Sequence, residues 1–82
     1  MRTLPPLTAL RAFEAAARLL SFQDAAKELS LTPTAISHQV RLLEAFCGRP
    51  LFQRRPRPLS LTPSGARLLS SISQGLDHFA EG

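Results

Sequence analysis

Residues 32–48, TPTAISHQVRLLEAFCG, carry the start and stop signals of one helix. Thr32 is a typical N-cap residue, and Pro33 suits the first helical position because its missing N–H would have no helical partner there. Gly48 is a typical residue just past the end of a helix. The pattern therefore predicts a helix over residues 33–47.

The two sides of this predicted helix differ in chemistry. At 100° per residue, one side is apolar and spans about 60°; it consists of Ile36, Val40, Leu43 and Cys47. The opposite side carries small polar or basic groups, namely Thr34, His38, Arg41 and Ala45, with Ser37 at its edge. We expect Cys47 in the core and the polar side against a partner, because a helix used only for packing would usually expose long Glu and Lys side chains.

Two further helices are predicted before it. The first runs from a Thr8 cap to about Leu20. Its core face combines Leu10, Phe13, Ala17 and Leu20. Ser21 opens the second, since Ser21 and Asp24 have the three-residue offset of a capping-box variant. Its apolar residues follow at helical spacing: Phe22, Ala25, Ala26 and Leu29. Residues 30–31 form a tight connection to the third helix.

The chain after Gly48 changes pattern to PLFQRRPRPLSL. Residues 51–61 are predicted to form two short strands around a basic tip, with the second strand beginning after Pro58 because proline lacks a ladder donor. Thr62 and Pro63 then repeat the helix start, and a fourth helix is predicted to run to about residue 80. Its apolar stripe consists of Leu68, Leu69, Ile72, Leu76 and Phe79.

Basic side chains concentrate in the middle of the chain. Residues 1–36 hold four basic and three acidic groups, residues 37–59 hold five and one, and residues 60–82 hold one and two. The middle segment therefore accounts for the whole net charge of +4. Such a block favours a polyanionic partner, with nucleic acid ahead of acidic lipid or protein. A merely solubilising surface is the alternative.

Composition limits the class of protein. An apolar fraction of 44% in 82 residues is typical of one small globular domain. No run approaches the roughly 18 apolar residues of a membrane span, and the N-terminus, MRTLPPLTAL, does not resemble a signal peptide. The single cysteine, Cys47, suits a reducing compartment. We therefore expect a cytoplasmic protein.

Catalysis has little support in the sequence. No paired carboxylate, metal-ligand cluster, Gly-rich phosphate loop or Ser-His-Asp arrangement is evident. Cys47 lacks a partner thiol or a histidine at ligand spacing, which disfavours a redox or metal role. We expect no enzyme activity, no cofactor and no metal.

Two helices joined by a few residues are typical of a helix-turn-helix, whose second helix enters the major groove of DNA. Thr34, Ser37 and His38 supply hydrogen-bond donors and acceptors, and Arg41 can reach a guanine edge or a phosphate. The open N-terminus of that helix suits a phosphate. The hairpin would be a basic wing that follows the backbone or enters a narrow minor groove.

At this point the chain resembles a known family. The stretches LRAFEAAARLLSFQDAAKELSLTPTAISHQVRLLE, CGRPLFQR and LTPSG look like the N-terminal DNA-binding domain of LysR-type transcriptional regulators. The resemblance covers nearly the whole chain. LRAFEAAARLLSF with AISHQV is particularly similar to the branch that contains regulators of glycine cleavage and of chromosomal β-lactamase. Two departures stand out: Cys47 replaces the usual leucine, and Arg55 and Pro58 alter the wing tip.

The resemblance implies a mainly α fold, a winged helix-turn-helix of three helices and a two-stranded wing followed by a long linker helix. Residues 1–61 would form the DNA-binding domain and residues 62–82 the helix that dimerises through its apolar stripe. The implied partner is duplex DNA with an interrupted palindrome of the T-N11-A type. A small-molecule effector would bind only a C-terminal domain, which this chain lacks, so we interpret the chain as a piece of a longer protein.

The expected DNA-binding residues combine the two lines of reasoning. They are Ser21, Thr32, Pro33, Thr34, Ser37, His38, Arg41, Arg54, Arg55 and Arg57. Arg49 fits a phosphate contact or a loop charge equally well, and His38 could instead be a solvated surface residue. The rival class is a basic RNA-binding or protein-interaction module. It is disfavoured because all five phenylalanines fall on predicted apolar faces or strands, which leaves no exposed aromatic pair to stack bases.

Overall fold

The computed structural model describes the backbone of residues 5–81 and the side-chain surroundings of residues 5–74. Over this range it contains four α-helices and a two-stranded antiparallel sheet, which confirms the predicted mainly α winged helix-turn-helix with a long fourth helix. The elements are α1 Leu7–Leu19, α2 Phe22–Leu29, α3 Pro33–Cys47, β1 Phe52–Gln53, β2 Ser60–Leu61 and α4 Pro63–Glu81. Within the described part of the chain, no helix has both the length and the apolar character that crossing a membrane requires.

The centre of the domain is α1, which contacts each of the other three helices. Its buried residues are mostly alanines: Ala9, Ala12, Phe13, Ala15, Ala16 and Ala17. Because alanine has a short side chain, neighbouring helices can approach the α1 backbone closely, and α1 is buried around much more of its circumference than a single amphipathic stripe would be. The larger Phe13 fills the space between α1 and the wing.

Two predictions about α1 were wrong. Thr8 is not the cap, because the helix begins at Leu7 and the N-cap is Pro6, whose carbonyl accepts from the N–H groups of Ala9 and Leu10. Leu20 is not a core residue, since 48% of it is exposed. It ends the helix in the left-handed conformation, with φ of 50°, so the chain has already left the helical periodicity that placed it on the core face.

The turn between α2 and α3 follows the sequence signals. Ser21 Oγ accepts from the N–H of Asp24 at 3.0 Å, and Thr32 Oγ1 accepts from the N–H of Ala35 at 3.1 Å, so both predicted caps are confirmed. Between the helices, Ser30 adopts a left-handed conformation with φ of 57°, and its N–H bonds the end of α2. This short, hydrogen-bonded reversal fixes the angle at which α3 leaves α2.

The apolar side of α3 is confirmed for Ile36, Val40 and Leu43, which are all buried. The expectation that Cys47 lies in the core was wrong, because this residue is exposed. Phe46 is also 46% exposed, which contradicts the prediction that every phenylalanine lies on an apolar face or strand. Ala45, Phe46 and Cys47 in the last turn of α3 are all exposed, so helical periodicity alone does not bury these residues.

The base of the wing docks on the helices through Phe52. β1 and β2 pair with Phe52 opposite Leu61. The Phe52 ring meets Phe13 of α1 at 5.5 Å between centroids and Phe22 of α2 at 5.4 Å, both edge to face. Aromatic pairs favour this arrangement. The strands are only two residues long, and the wing is therefore held by its base rather than by an extended ladder.

The start of α4 closes against the wing. Thr62 Oγ1 accepts from the N–H of Gly65 at 3.0 Å and donates to the carbonyl of Pro50 at 2.7 Å, which confirms the predicted Thr-Pro helix start. In the apolar stripe, the proximal residues Leu68, Leu69 and Ile72 pack against the core while remaining partly exposed. The side chains of the distal pair, Leu76 and Phe79, lie outside the described residues.

Candidate nucleic-acid interface

Three elements meet around an open cleft of about 760 Å³. The cleft lies between the N-terminus of α2, one side of α3 and the wing, and it brings together four of the predicted DNA-binding residues: Ser21, Ser37, Arg54 and Arg57. Its remaining lining is largely apolar and includes Phe22 and Leu59. These residues come from three separate segments of the chain, and the fold is what places two hydroxyls and two guanidinium groups on one concave surface.

The outward face of α3 continues from this cleft. Thr34, His38 and Arg41 are exposed, as predicted, and Ser37 at the edge of the face is half-buried because it borders the cleft. The helical spacing of these residues puts their polar groups on one side of the helix. A row of short donors and acceptors with one long cation is the surface that a recognition helix needs to reach base edges.

Both helix starts in the motif present hydroxyl groups to solvent. Thr32, Pro33 and Thr34 are exposed at the start of α3, and Ser21 is half-buried at the start of α2. Each capping oxygen accepts a backbone N–H, yet a hydroxyl retains its own O–H group as a donor. The positive end of each helix dipole lies at the same place, so these starts favour an anionic group such as a phosphate.

The three wing arginines differ in how they are held. Arg55 and Arg57 are exposed at the tip. Arg54 lies at the base, where its side chain is 39% exposed, its Nη1 is 3.7 Å from Glu44 Oε1, and its guanidinium lies 5.5 Å from the centre of the Phe22 ring. All three were expected to bind DNA, but the sequence did not indicate how each side chain would be held. Arg54 is therefore positioned by protein contacts, whereas Arg55 and Arg57 are exposed and Arg57 also lines the cleft.

Glu44 is the functional residue that sequence reasoning missed. Its Oε2 accepts from the backbone N–H groups of Leu51 at 2.8 Å and Phe52 at 3.3 Å, so one carboxylate of α3 holds the base of the wing. The side chain is only 14% exposed. A signal was present in the sequence, because Glu44 is the single acidic residue among residues 37–59.

Another charged group has a structural place instead. Arg18 of α1 donates to Glu14 on its own helix at 2.8 Å and also to Glu28 of α2. These hydrogen bonds raise the pKa of Arg18 above its ordinary value and lower the pKa of Glu28. The Arg18–Glu28 pair joins α1 to α2, and because its side chains are 45% and 42% exposed it adds little to stability.

Comparison with known proteins identifies the arrangement. Residues 7–66 match the model of the family described as bacterial regulatory helix-turn-helix protein, lysR family. The chain belongs to the lysR family. The match spans the three helices, the wing and the first residues of α4, so a DNA-binding helix-turn-helix domain of the lysR type accounts for the elements that surround the cleft.

Curated relatives of this lysR-family chain are transcriptional activators. It is 49% identical to the glycine cleavage system transcriptional activator of Escherichia coli K12 over 98% of this chain and 26% of the relative. It is 53% identical to the HTH-type transcriptional activator AmpR of Pseudomonas aeruginosa over 92% of this chain and 25% of that protein. The chain thus spans about a quarter of the length of the curated relatives it matches.

Solved structures show the same lysR-type fold. The BenM DNA-binding domain in complex with catB site 1 DNA superimposes with a TM-score of 0.85 at 30% identity, covering 93% of this chain and 84% of that one. A mutant of Corynebacterium glutamicum OxyR superimposes with a TM-score of 0.85 at 31% identity, covering 99% of this chain and 26% of that one. The resemblance predicted from the sequence motifs is confirmed.

Proposed function

We propose that the chain binds duplex DNA sequence-specifically as the DNA-binding domain of a bacterial transcription regulator. The observation that carries this proposal is the shared surface of α3 and the wing, on which the exposed face of α3 adjoins a cleft holding Arg54 and Arg57. The likeness to the BenM domain, whose structure was solved with DNA, supports the same assignment. α3 would lie in the major groove, and the wing would lie along the backbone or in the minor groove.

Each part of the surface has its own task in this proposal. Thr34, Ser37 and His38 read base edges, and Arg41 takes a guanine edge or a phosphate. The hydroxyls of Ser21 and Thr32, with the open start of α3 at Pro33, contact phosphates. Phosphate binding is also the task of the wing arginines, namely Arg54, Arg55 and Arg57.

We propose further that the protein acts as a homodimer on an interrupted palindrome of the T-N11-A type, with α4 as the joining helix. The stripe of α4 continues to Phe79, beyond Leu68, Leu69 and Ile72, which already touch the core. A second copy of α4 would cover the remaining apolar surface and present two α3 helices to two half-sites. Residues 62–82 would then be the dimerisation segment, and an effector would act through a domain outside this chain.

The regulator assignment also favours a cytoplasmic, non-enzymatic protein that needs no cofactor to bind DNA. The curated relatives are transcriptional activators, which supports the non-enzymatic part. The cytoplasmic part follows from the partner, because bacterial chromosomal DNA lies in that compartment.

A titration against three nucleic acids of one base sequence tests this function. Fluorescently labelled duplex DNA, single-stranded DNA and RNA would be compared by anisotropy at one fixed salt concentration, because electrostatic affinities change steeply with salt. The proposal predicts the tightest binding to duplex DNA. Tighter binding to RNA or to single-stranded DNA would contradict it and favour the rival nucleic-acid module, for which the exposed ring of Phe46 could supply one stacking surface.

A further inference from the structure

Glu44 places a negative charge beside the base of a wing whose expected partner is itself negative. A carboxylate in the middle of a phosphate-binding surface would normally weaken binding by repulsion. Its position is nevertheless specific: the side chain is mostly buried, and both of its oxygens are engaged by the wing. The charge therefore calls for a role beyond filling space.

We propose that Glu44 is a specificity-determining positioning residue, which holds the Arg54 guanidinium in one place so that it meets DNA only when α3 is seated in the groove. This inference rests on the proposed DNA-binding function. Arg54 is the residue that would touch DNA, and Glu44 acts through it.

The two oxygens of Glu44 have separate tasks. Oε2 accepts both backbone N–H groups, from Leu51 and from Phe52, and so fixes the wing base to α3. Oε1 faces the Arg54 guanidinium at 3.7 Å. A glutamine could still hold the wing base, because its amide oxygen can accept the same backbone N–H groups. It would lose the negative charge that attracts the Arg54 guanidinium.

Arg54 is restrained from two directions. Glu44 draws its Nη1 toward α3, and the ring of Phe22 on α2 lies 5.5 Å below the guanidinium. A planar guanidinium has five donors, so contacts of this kind leave other N–H groups facing the cleft that Arg54 lines. These two contacts favour one orientation of the guanidinium group beside the cleft.

A restrained cation discriminates between binding modes. Binding to random duplex is mostly electrostatic, and it benefits from mobile cations that can follow phosphates in any docked orientation. A cation fixed by Glu44 and Phe22 meets a phosphate or groove edge only in one docked orientation, which the base contacts of α3 select. Removing the restraint should therefore strengthen random binding more than binding to the preferred sequence.

The test compares Glu44→Gln with the parent on two duplexes: the tightest sequence recovered from a random pool, and the unselected pool itself. We expect Glu44→Gln to bind the unselected pool up to roughly fivefold more tightly, the range of a partly exposed ion pair, and to change binding to the recovered sequence by less than about twofold. For the unselected pool, the slope of log K against log salt concentration should become steeper by up to about 0.9 in Glu44→Gln. Glu28→Gln is the matched control, because it removes the same charge from one of the two partners of Arg18 instead.

The double variant Glu44→Gln, Arg54→Ala shows whether the effect passes through Arg54. Against an Arg54→Ala background, Glu44→Gln should no longer alter the ratio of the two affinities. Arg54→Lys is an independent test, because it leaves Glu44 and its backbone hydrogen bonds in place. The flexible ammonium group keeps the positive charge but loses the planar contact with Phe22. We expect it, too, to lower the ratio of the affinity for the recovered sequence to the affinity for the unselected pool.

Three results would overturn the inference. The first is an affinity ratio that is unchanged in both Glu44→Gln and Arg54→Lys. The second is a Glu44→Gln effect on this ratio that is as large in the Arg54→Ala background as in the parent. The third is a Glu28→Gln effect on this ratio as large as that of Glu44→Gln. Each would leave the proposed DNA binding intact. A parent domain that binds no duplex would overturn the proposed function as well, and the two failures are thus distinguishable.

Discussion

At the scale of single residues, Gly65 has a clear steric requirement. A Cβ at this position would lie 2.1 Å from the carbonyl oxygen of Leu51, which is backbone and cannot rotate away. We expect Gly65→Ala to destabilise the domain by about 1–3 kcal/mol, the usual range for overpacking, as measured by urea unfolding.

Gly48→Ala separates steric from conformational causes. A Cβ at Gly48 would meet nothing within 4 Å, but the φ of +70° at this residue is unfavourable for alanine. We therefore expect Gly48→Ala to lower the free energy of unfolding by about 1 kcal/mol. A Gly65→Ala variant as stable as the parent would contradict the close crossing of α4 over the wing base.

Ser30 suggests a stabilising change. It occupies a left-handed conformation with φ of 57°, which glycine adopts without strain. We expect Ser30→Gly to raise the free energy of unfolding by up to about 1 kcal/mol. Ser71→Gly, at an exposed position inside α4, is the control and should lower it. A destabilised Ser30→Gly variant would show that the serine side chain has an unrecognised contact.

Residue-level signals were predictable where the cause is local. Ser21, Thr32 and Thr62 cap helices as expected, because a cap needs only its own side chain and the backbone three residues ahead. Burial was less predictable: Leu20 and Cys47 lie at the right helical angle for the core, but each stands at a helix end. Where packing stops depends on other elements, and helical periodicity carries no information about that.

At the scale of elements, the wing is proposed to supply electrostatic affinity. If the tip arginine Arg57 neutralises one phosphate, Arg57→Ala should flatten the plot of log K against log salt by about 0.9. Arg54→Ala should flatten it too. Arg67→Ala, which removes an exposed cation from α4, is the control and should leave the slope nearly unchanged. Anisotropy titrations against the tightest duplex recovered from a random pool, at several salt concentrations, measure all three slopes. Parent-like slopes in both wing variants would remove the wing from the interface.

The wing also shows what a pattern of residues leaves out. Its two strands, its basic tip and its position after α3 were predicted from residues 51–61. Its attachment was not. The aromatic contacts of Phe52 join residues that are distant in sequence, and the hydrogen bonds that Glu44 accepts cross from a helix to the wing, where no shared periodicity applies. The DNA-binding residues were chosen one by one, and only the folded chain shows that Ser21, Ser37 and two wing arginines border one cleft.

At the scale of the whole molecule, each subunit is proposed to bind one half-site, and the dimer to bind both halves of a palindrome. Leu76→Asp would place a charge on the distal stripe of α4, four residues beyond Ile72, which packs on the core. We expect this variant to unfold at a temperature close to that of the parent and to sediment as a monomer at on the order of tens of micromolar protein. Its affinity should fall more for a full palindrome than for a half-site.

Ser70→Asp is the matched control for that variant. It adds the same charge at an exposed position on the other side of α4, and it should leave the dimer unchanged. A parent domain that stays monomeric both free and on a full palindromic site would show that the α4 stripe packs elsewhere.

The central claim, that the exposed face of α3 reads sequence, is tested most directly by His38→Ala on two DNAs. The parent and the variant would be titrated against the tightest duplex recovered from a random pool and against the unselected pool. We predict that His38→Ala weakens the free energy of binding to the recovered sequence by about 1–3 kcal/mol and that to the unselected pool by much less, as expected for a base-edge contact. Equal losses on the two DNAs would contradict the claim, because they would show that His38 contacts only the backbone.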